Sequence, residues 1–167
     1  MLPVSDPVAI VTDGACGIGR ELARGLADRG FAVVIVYLRD PERAEAAVEQ
    51  ILASGGTAVS VRADVTDEVD VERLFYETDA AFGAVDVIGH TAVRGANLVY
   101  RFAARKLRRG GAILSLAGSE PMLPDVEAGL RDQEITVNGM PPGVAPPGAG
   151  HDGGGLLALL DQWRTGG

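Results

Sequence analysis

Three glycines near the start of the chain are spaced to form a phosphate-binding turn. Gly14, Gly17 and Gly19 follow directly on the apolar run Val8–Thr12 and open a segment whose apolar residues recur at helical spacing. At such a strand-to-helix turn, glycines let the backbone approach a pyrophosphate, and the free N–H groups and dipole of the helix stabilise its negative charge. Glycines also occur in ordinary strand-to-helix turns, so this spacing alone leaves both interpretations open.

Polar residues end two further apolar segments. Arg39 and Asp40 follow residues 31–38, and His90 follows residues 85–89. After the second strand of a dinucleotide-binding sheet, an arginine accepts the 2′-phosphate of NADP, whereas an acidic residue binds a ribose hydroxyl. The same pair also fits a solvated turn. His90 has the chemistry of a general acid at a strand end where ligands bind, and it also fits a structural role.

Apolar segments that alternate with amphipathic ones predict a sheet of parallel strands connected by helices. Strands are predicted at residues 8–12, 31–38, 57–62, 85–89, 112–116 and 135–138, and helices at residues 18–29, 41–53, 67–81, 96–108 and 156–163. Strands and helices that alternate in this way form βαβ units with right-handed crossovers. The sequence therefore predicts a single α/β domain over residues 1–167, with a doubly wound parallel sheet of five to six strands. The glycine- and proline-rich segment 139–155 is predicted to be a loop.

The composition predicts a globular chain that acts away from nucleic acids and membranes. Hydrophobic residues make up 47% of the 167 residues and the net charge is −8, whereas a nucleic-acid surface needs an excess of Lys and Arg. No apolar run reaches the ~18 residues of a membrane span, and residues 1–7 lack the pattern of a secretory signal. Cys16 is the only cysteine, so no internal disulfide can form, and no Cys/His cluster suggests a metal. A cytoplasmic location is expected.

Short motifs in order along the chain resemble those of the short-chain dehydrogenase/reductase family. Thr12-Asp13-Gly14-Ala15-Cys16-Gly17-Ile18-Gly19 resembles the family's TGxxxGIG turn, and Ala63-Asp64-Val65-Thr66-Asp67 resembles its Asp-Val segment after strand three. Further similar segments are Phe82-Gly83-Ala84-Val85-Asp86-Val87, Asn97-Leu98, Gly110-Gly111-Ala112-Ile113, and Ile135-Thr136-Val137-Asn138 with Pro142-Gly143. The resemblance is greatest to the 3-oxoacyl-carrier-protein reductase branch.

This resemblance implies a reduced Rossmann-type fold with strand order 3-2-1-4-5-6 and a nicotinamide dinucleotide as cofactor. It implies cofactor contacts in the glycine turn, at the ends of strands two and four, and after strand three: Thr12, Gly14, Gly17, Ile18, Gly19, Arg39, Asp64, Val65 and Ala92. Because Arg39 occupies the position that accepts a 2′-phosphate, NADP is favoured over NAD.

Two positions depart from the family's cofactor-binding pattern. Asp13 replaces the first glycine of the turn, and its carboxylate either opposes the pyrophosphate or faces away from it. At the end of strand four, the family's Asn-Asn-Ala-Gly becomes His90-Thr91-Ala92-Val93, so a β-branched side chain replaces a glycine beside the cofactor. Both departures predict weakened dinucleotide binding.

The family's catalytic residues are a Tyr, a Lys four residues later, and a Ser. Lys106 is the only lysine and Phe102 stands four residues before it, so the sequence contains no Tyr-x-x-x-Lys. The remaining catalytic candidates are Ser119, near the position of the family's serine, together with His90 and Asn97; each also suits a structural role. Three functions stay open: a family oxidoreductase with reassigned or impaired catalysis, a non-catalytic nucleotide- or partner-binding module, and a decayed reductase fragment.

Five cations cluster at the end of the predicted fourth helix, four within it and one directly after it. Arg101, Arg105 and Arg108 are expected on one face, with Lys106 and Arg109 nearby. Cations near a helix C-terminus complement its dipole, which is sufficient to explain them. The resemblance offers a second interpretation, a docking surface for an acidic carrier protein. A homo-oligomer is a further expectation.

Overall fold

A computed structural model describes residues 5–116, 121–140 and 154–166, and these contain a six-stranded parallel sheet. The strands are β1 (Val8–Thr12), β2 (Ala32–Tyr37), β3 (Thr57–Arg62), β4 (Val85–His90), β5 (Leu107–Leu116) and β6 (Thr136–Met140). Their order is β3-β2-β1-β4-β5-β6. The prediction of a doubly wound parallel sheet with this strand order is confirmed.

The helices cover both faces of the sheet. They are α1 (Gly17–Asp28), α2 (Pro41–Ala53), α3 (Glu68–Phe82), α4 (Ala96–Lys106), α5 (Pro124–Asp132) and α6 (Gly154–Gly166). Buried residues of α1, α2 and α6 form one core cluster with the sheet, and those of α3, α4 and α5 form the other. Helices therefore cover both faces of the sheet, which explains why the central strands β1 and β2 are almost entirely apolar instead of alternating with polar residues.

Strand β1 lies inside the sheet and supplies both cores. Val8 and Ile10 belong to the cluster beneath α3 and α4, whereas Ala9 and Val11 belong to the cluster beneath α1 and α2. The strand pairs with β2 on one side and with β4 on the other. The strands that follow β1 are thus added first on one side of it, as β2 and β3, and then on the other side, as β4 to β6. Ligands bind at the point between β1 and β4 where this order reverses.

The predicted boundary between the fourth helix and the fifth strand is wrong. Helix α4 ends at Lys106 instead of residue 108, and β5 begins at Leu107 instead of residue 112, so Arg108 lies on a strand. Leu107 pairs with Val85 before the register shifts, and Gly110 adopts a left-handed φ of 79° where the strand resumes. Pairing with β4 therefore determines this boundary, not the local composition.

The predicted loop 139–155 is shorter than expected at both ends. Gly139 and Met140 extend β6 by pairing with Ser115 and Leu116, and α6 begins at Gly154 instead of residue 156. Residues 141–153 lie outside the described residues. Of the remaining predicted elements, β1, α2 and β3 have the predicted bounds, and the ends of α1, β2, α3 and β4 differ by at most one residue, as is usual for element boundaries.

Helix α6 is anchored firmly on α1. Its Leu156 and Leu160 are fully buried in the core, and Arg29 contacts both carboxylate oxygens of Asp161 at 2.8 Å. The close approach of the two helices depends on Gly25, because a Cβ there would overlap the side chain of Leu157. This packing completes the core on the α1 face of the sheet.

Candidate functional site

The residues predicted to contact a cofactor gather at one edge of the sheet. Thr12 ends β1, Arg39 and Asp64 follow β2 and β3, and Ala92 follows β4. Because the strands are parallel and adjacent in the order β3-β2-β1-β4, their carboxyl ends meet along this edge. The cofactor role of each residue stays a prediction, but the edge that they share is observed.

The turn after β1 is held by close backbone contacts at its glycines. A Cβ at Gly14 would lie 2.9 Å from the carbonyl oxygen of Val11, and one at Gly19 would overlap the carbonyl oxygen of Asp13. Gly17 has a left-handed φ of 56° with open space around it. Glycine is thus required at positions 14 and 19 for space and at position 17 for backbone conformation.

The helix that follows this turn begins without a side-chain cap. Its N-cap residue, Cys16, makes no side-chain capping hydrogen bond. By contrast, Asp40 accepts from the Arg43 N–H at 3.1 Å to cap α2, and Asp67 accepts from the Asp70 N–H at 3.0 Å to cap α3. The Cys16 side chain therefore accepts no hydrogen bond from the first-turn N–H groups of α1, which belong to Gly17, Ile18 and Gly19. This arrangement suits an anion.

Asp13 lies beside that same helix terminus. Its backbone is left-handed, with φ 51°, and its side chain is exposed. One carboxylate oxygen, Oδ1, lies 3.9 Å from Sγ of Cys16 at the helix N-cap. The carboxylate thus lies close to the N-cap side chain of α1. Whether it opposes a pyrophosphate stays a prediction.

Thr12 connects the ends of β1 and β4. Its Oγ1 accepts hydrogen bonds from the backbone N–H groups of Thr91 at 3.1 Å and Ala92 at 3.4 Å. In return, the hydroxyl of Thr91 donates to the backbone carbonyl of Thr12 at 2.6 Å. Thr12 therefore fixes the segment 91–92 against the glycine turn. The next residue, Val93, is 76% exposed, so its side chain lies outside the packed core.

Asp64 is held as a carboxylate after β3. Its Oδ1 accepts from the hydroxyl of Thr66 at 2.6 Å and from the Thr66 N–H at 2.9 Å. These two bonds, and then the charge of Arg39 after the neighbouring strand, lower the pKa of Asp64 below its usual value. The site therefore carries a fixed acceptor near an exposed guanidinium.

The link between β4 and α4 packs closely against the segment that follows β3. Gly95 is the N-cap residue of α4 and has a left-handed φ of 83°. A Cβ at this position would overlap the carbonyl oxygen of Val65. Neither Thr91 nor Gly95 is predicted from the sequence as part of the site. The one signal that points to Gly95 is the shortness of the link between Ala92 and Asn97.

The candidate acid His90 is buried beneath this edge. Its side chain is 1% exposed, and Nδ1 lies 3.1 Å from Oγ1 of Thr12. Its ring contacts that of Tyr100 edge-on, with 5.6 Å between the ring centres, and it is in register with Ser115 on β5. His90 is thus buried in the protein interior next to the side chain of Thr12. A direct catalytic role stays a prediction.

The other catalytic candidates are placed differently. The side chain of Asn97 donates to the carbonyl of Pro121 at 3.0 Å and accepts from the Leu123 N–H at 2.9 Å. It therefore connects α4 to the segment before α5, and its amide is engaged with backbone on both sides. Ser119 lies outside the described residues. Ser115, the register partner of His90 on β5, donates to the carbonyl of Leu116 at 3.2 Å.

Lys106, the only lysine, lies at the opposite edge of the sheet from the glycine turn. It borders a surface hollow together with Gly83 and Val85 at the amino end of β4, and with Glu72 and Asp79 of α3. Because the glycine turn lies at the carboxyl ends of the strands, Lys106 cannot reach a ligand bound there.

The cluster of cations is spread over two elements and is largely paired. Arg108 contacts Asp86 at 3.2 Å, Arg109 contacts Glu134 at 3.2 Å, and Arg101 contacts Asp125 at 3.2 Å. Arg105 lies over the ring of Phe102, with 5.9 Å to its centre. The predicted single helix face with Arg108 on it is therefore wrong, because Arg108 belongs to β5. A surface for an acidic carrier protein stays a prediction, as does a homo-oligomer.

Two further classes of site are absent from the part of the chain that the structure describes. Within residues 5–116, 121–140 and 154–166, no three metal-ligating side chains come together. Across these same residues, no helix combines the length and apolarity needed to cross a membrane.

The sheet order and the glycine turn at the switch point define a Rossmann-type α/β protein. The comparisons with known proteins are more specific. The chain belongs to the short-chain dehydrogenase family, because the family model described as short chain dehydrogenase matches residues 7–108.

Similar proteins include reductases of fungi and bacteria. Versicolorin reductase 1 of Aspergillus parasiticus is 30% identical over an alignment of 180 positions, gaps included, which covers 82% of this chain and 69% of that protein. The 3-oxoacyl-(acyl-carrier-protein) reductase FabG of Staphylococcus aureus is 38% identical over 84 residues, spanning 50% of this chain and 34% of that one. A short chain dehydrogenase from Burkholderia cenocepacia, solved in complex with NADP, has 25% identity and a TM-score of 0.74 over 92% of this chain and 88% of its own.

The chain is matched to only part of several relatives. The alignments span 69% of versicolorin reductase 1, 40% of a Methylorubrum extorquens oxidoreductase and 34% of FabG. The alignment with versicolorin reductase 1 has 180 positions, whereas 82% of 167 residues is about 137, so about 43 positions have no counterpart here. The short β4–α4 link and the nine-residue helix α5 are two places where little chain connects neighbouring elements.

Proposed function

We propose that this chain binds a nicotinamide dinucleotide, NADP in preference to NAD, and that its capacity for hydride transfer is impaired. The observation that carries the proposal is the edge at the carboxyl ends of β1 to β4. An uncapped helix terminus, an arginine after β2 and a fixed carboxylate after β3 lie together there. Membership of the family and the NADP complex of the Burkholderia relative support it.

The residues present fit such a cofactor. The N–H groups of Gly17, Ile18 and Gly19 would hold the pyrophosphate, because they open α1 without a side-chain cap. Asp64 and Val65 would hold the adenine end, and Ala92, fixed by Thr12, would border the nicotinamide end. When bound, the nicotinamide supplies or accepts a hydride.

The preference for NADP rests on two neighbouring residues. Asp40 is occupied by the N–H of Arg43 at 3.1 Å and by its guanidinium at 3.3 Å, so its carboxylate is engaged in capping α2. Arg39 is exposed and close enough to Asp64 to lower the pKa of that carboxyl. An engaged carboxylate is a poor ligand for a ribose hydroxyl, whereas an exposed guanidinium suits a 2′-phosphate.

The impairment of catalysis is inferred from the lack of the family's catalytic residues and from the positions of the remaining candidates. The chain has no Tyr-x-x-x-Lys, and Lys106 lies at the other edge of the sheet. The amide of Asn97 is engaged with backbone. Among the described residues, this leaves the buried His90 as the one predicted acid near the site.

Titration with NADPH and NADH, followed by cofactor fluorescence, tests the proposal. Cys16 offers a second readout, because this single thiol sits in the glycine turn and a bound pyrophosphate should slow its reaction with a thiol reagent. Binding with slowed labelling and no turnover supports the proposal. Turnover at an enzymatic rate would contradict the proposed impairment of catalysis. Absence of cofactor binding together with a broad melting transition would favour a decayed fragment.

The charge of Arg39 is expected to determine the preference for NADP. Arg39→Leu should weaken NADPH binding about tenfold and leave NADH binding within about twofold, since a charged hydrogen bond contributes about 1.5–3 kcal/mol before solvent screening. Arg43→Leu is the matched control, because it removes the same charge from the first turn of α2, where Arg43 is paired with Asp40. Equal losses in both variants would show that only net charge matters. The measurement is the ratio of the two dissociation constants.

Removal of the Asp13 carboxylate is expected to tighten dinucleotide binding. This carboxylate lies beside the N-cap of α1, where the pyrophosphate would bind. Two unit charges about 4 Å apart in water repel by about 1 kcal/mol, so Asp13→Gly should lower the dissociation constant about fivefold. Asp13→Asn keeps the shape and removes the charge, and it should give most of the gain. Unchanged affinity in both variants would show that the carboxylate does not oppose the phosphates.

A further inference from the structure

The hydroxyl of Thr12 has a defined set of hydrogen bonds. Its oxygen accepts from two backbone N–H groups, those of Thr91 at 3.1 Å and Ala92 at 3.4 Å. A hydroxyl oxygen has two acceptor sites and one proton. With both acceptor sites used, the proton is directed to the remaining neighbour, Nδ1 of His90, at 3.1 Å.

This accounting determines the protonation of the imidazole. Because Nδ1 accepts the hydroxyl proton, it carries no proton of its own, and the ring is neutral with its hydrogen on Nε2. If His90 became an imidazolium, Nδ1 would present an N–H to an oxygen whose acceptor sites are already engaged. Thr12 would then have to release one of the two backbone N–H groups.

We propose that His90 is a positioning residue that, as the neutral Nε2–H tautomer, orients Thr12 and so fixes the segment Thr91–Ala92 for the dinucleotide. Protonation of His90 releases this segment and weakens dinucleotide binding as the pH falls. The effect on affinity rests on the proposed function, whereas the tautomer and its link to Thr91 and Ala92 do not.

Several of the described residues surround the imidazole. The ring is 1% exposed and contacts Thr12 of β1 and the ring of Tyr100 of α4, and Ser115 is its register neighbour on β5. Of these neighbours, Tyr100 is the one with an ionisable side chain. Asp13, the charged residue next to Thr12, is exposed to solvent.

The tautomer is tested by nitrogen NMR of the imidazole side chains. The chain has two histidines, so His151→Gln leaves His90 as the single imidazole signal. At neutral pH we expect a protonated Nε2 and an unprotonated Nδ1, and Thr12→Val should abolish this preference. During acid titration, the backbone amide signals of Thr91 and Ala92 should shift with the same midpoint as the His90 ring. A protonated Nδ1 at neutral pH, or amides that do not follow the ring, would overturn the proposal.

The consequence for binding is tested by dissociation constants between pH 5.5 and 8. On acidification, wild type should lose about two- to tenfold more affinity than His90→Asn or His90→Gln, the range expected for loss of one hydrogen bond. NADH is measured beside NADPH because it lacks the 2′-phosphate, which titrates in the same range. Equal pH profiles in wild type and both variants would overturn the coupling. If neither cofactor binds at any pH, the proposed function fails, and the amide titration of wild type still decides the role of His90.

Discussion

We expect this protein to reduce an acetoacetyl-type substrate with NADPH at least about 10²- to 10⁴-fold more slowly than a family reductase that has the catalytic Tyr and Lys. This factor is the usual contribution of a positioned general acid. The sequence has no Tyr-x-x-x-Lys, and its single lysine lies at the amino end of β4, across the sheet from the glycine turn. The family's lysine both lowers the pKa of the tyrosine and holds the nicotinamide ribose. Its loss should therefore add to the loss of the acid.

The rate is measured by the absorbance of NADPH at saturating cofactor. A steady turnover of ~1–10³ s⁻¹, which is typical of enzymes, would contradict the expectation. In that case, His90→Ala and Ser119→Ala would show whether either residue replaces the missing acid, because loss of activity in one of them identifies a rebuilt site.

A control variant separates the sequence motif from its position. Phe102→Tyr places a tyrosine four residues before Lys106 and recreates the spacing of the family motif. Phe102 is 6% exposed and stacks on Phe75 within the core, on a helix that ends at the amino edge of the sheet. We expect no gain of activity in this variant, because the recreated pair remains away from the glycine turn.

The fold could be predicted because the pattern of apolar residues determines most of it. Val8–Thr12 is apolar throughout since both faces of β1 are covered, and the glycines that follow it mark the turn into α1. The start of β5 could not be predicted, because Arg108 and Gly110 do not favour a strand locally. They lie between Leu107 and Ala112, which pair with Val85 and Val87 of β4, and the Gly110 N–H donates to the Gln133 carbonyl at 3.0 Å.

The candidate site was only partly predictable for a related reason. Arg39 and Asp64 are recognised by type and by their positions after strands, which sequence order provides. The roles of Thr91 and Gly95 depend on contacts with Thr12 and Val65, which are distant in the sequence. Such contacts become visible only when the strands are aligned side by side.

Gly19→Ala is expected to disrupt the glycine turn itself. The new Cβ would overlap the carbonyl oxygen of Asp13 and lie 2.8 Å from Oγ1 of Thr91. A backbone carbonyl cannot rotate away as a flexible side chain can, so the turn must move. Thr91 would then lose its 2.6 Å bond to the carbonyl of Thr12. Overpacking of this kind destabilises by about 3 kcal/mol, which corresponds to a melting temperature about 6–12 °C lower in a chain of this size.

Gly17→Ala is the matched comparison, because it adds the same methyl group two residues earlier in the same turn. No atom lies within 4 Å of a Cβ there, so the cost is that of a left-handed backbone at φ 56°, about 1–2 kcal/mol. The melting temperature should fall less than for Gly19→Ala. Because displacement of Asp13 and Thr91 also alters the surface offered to the cofactor, Gly19→Ala should weaken NADPH binding at least tenfold. Similar melting temperatures for the two variants would show that the turn absorbs a side chain at position 19. In that event, the close approach of Asp13 to Gly19 would not determine the shape of the phosphate-binding turn.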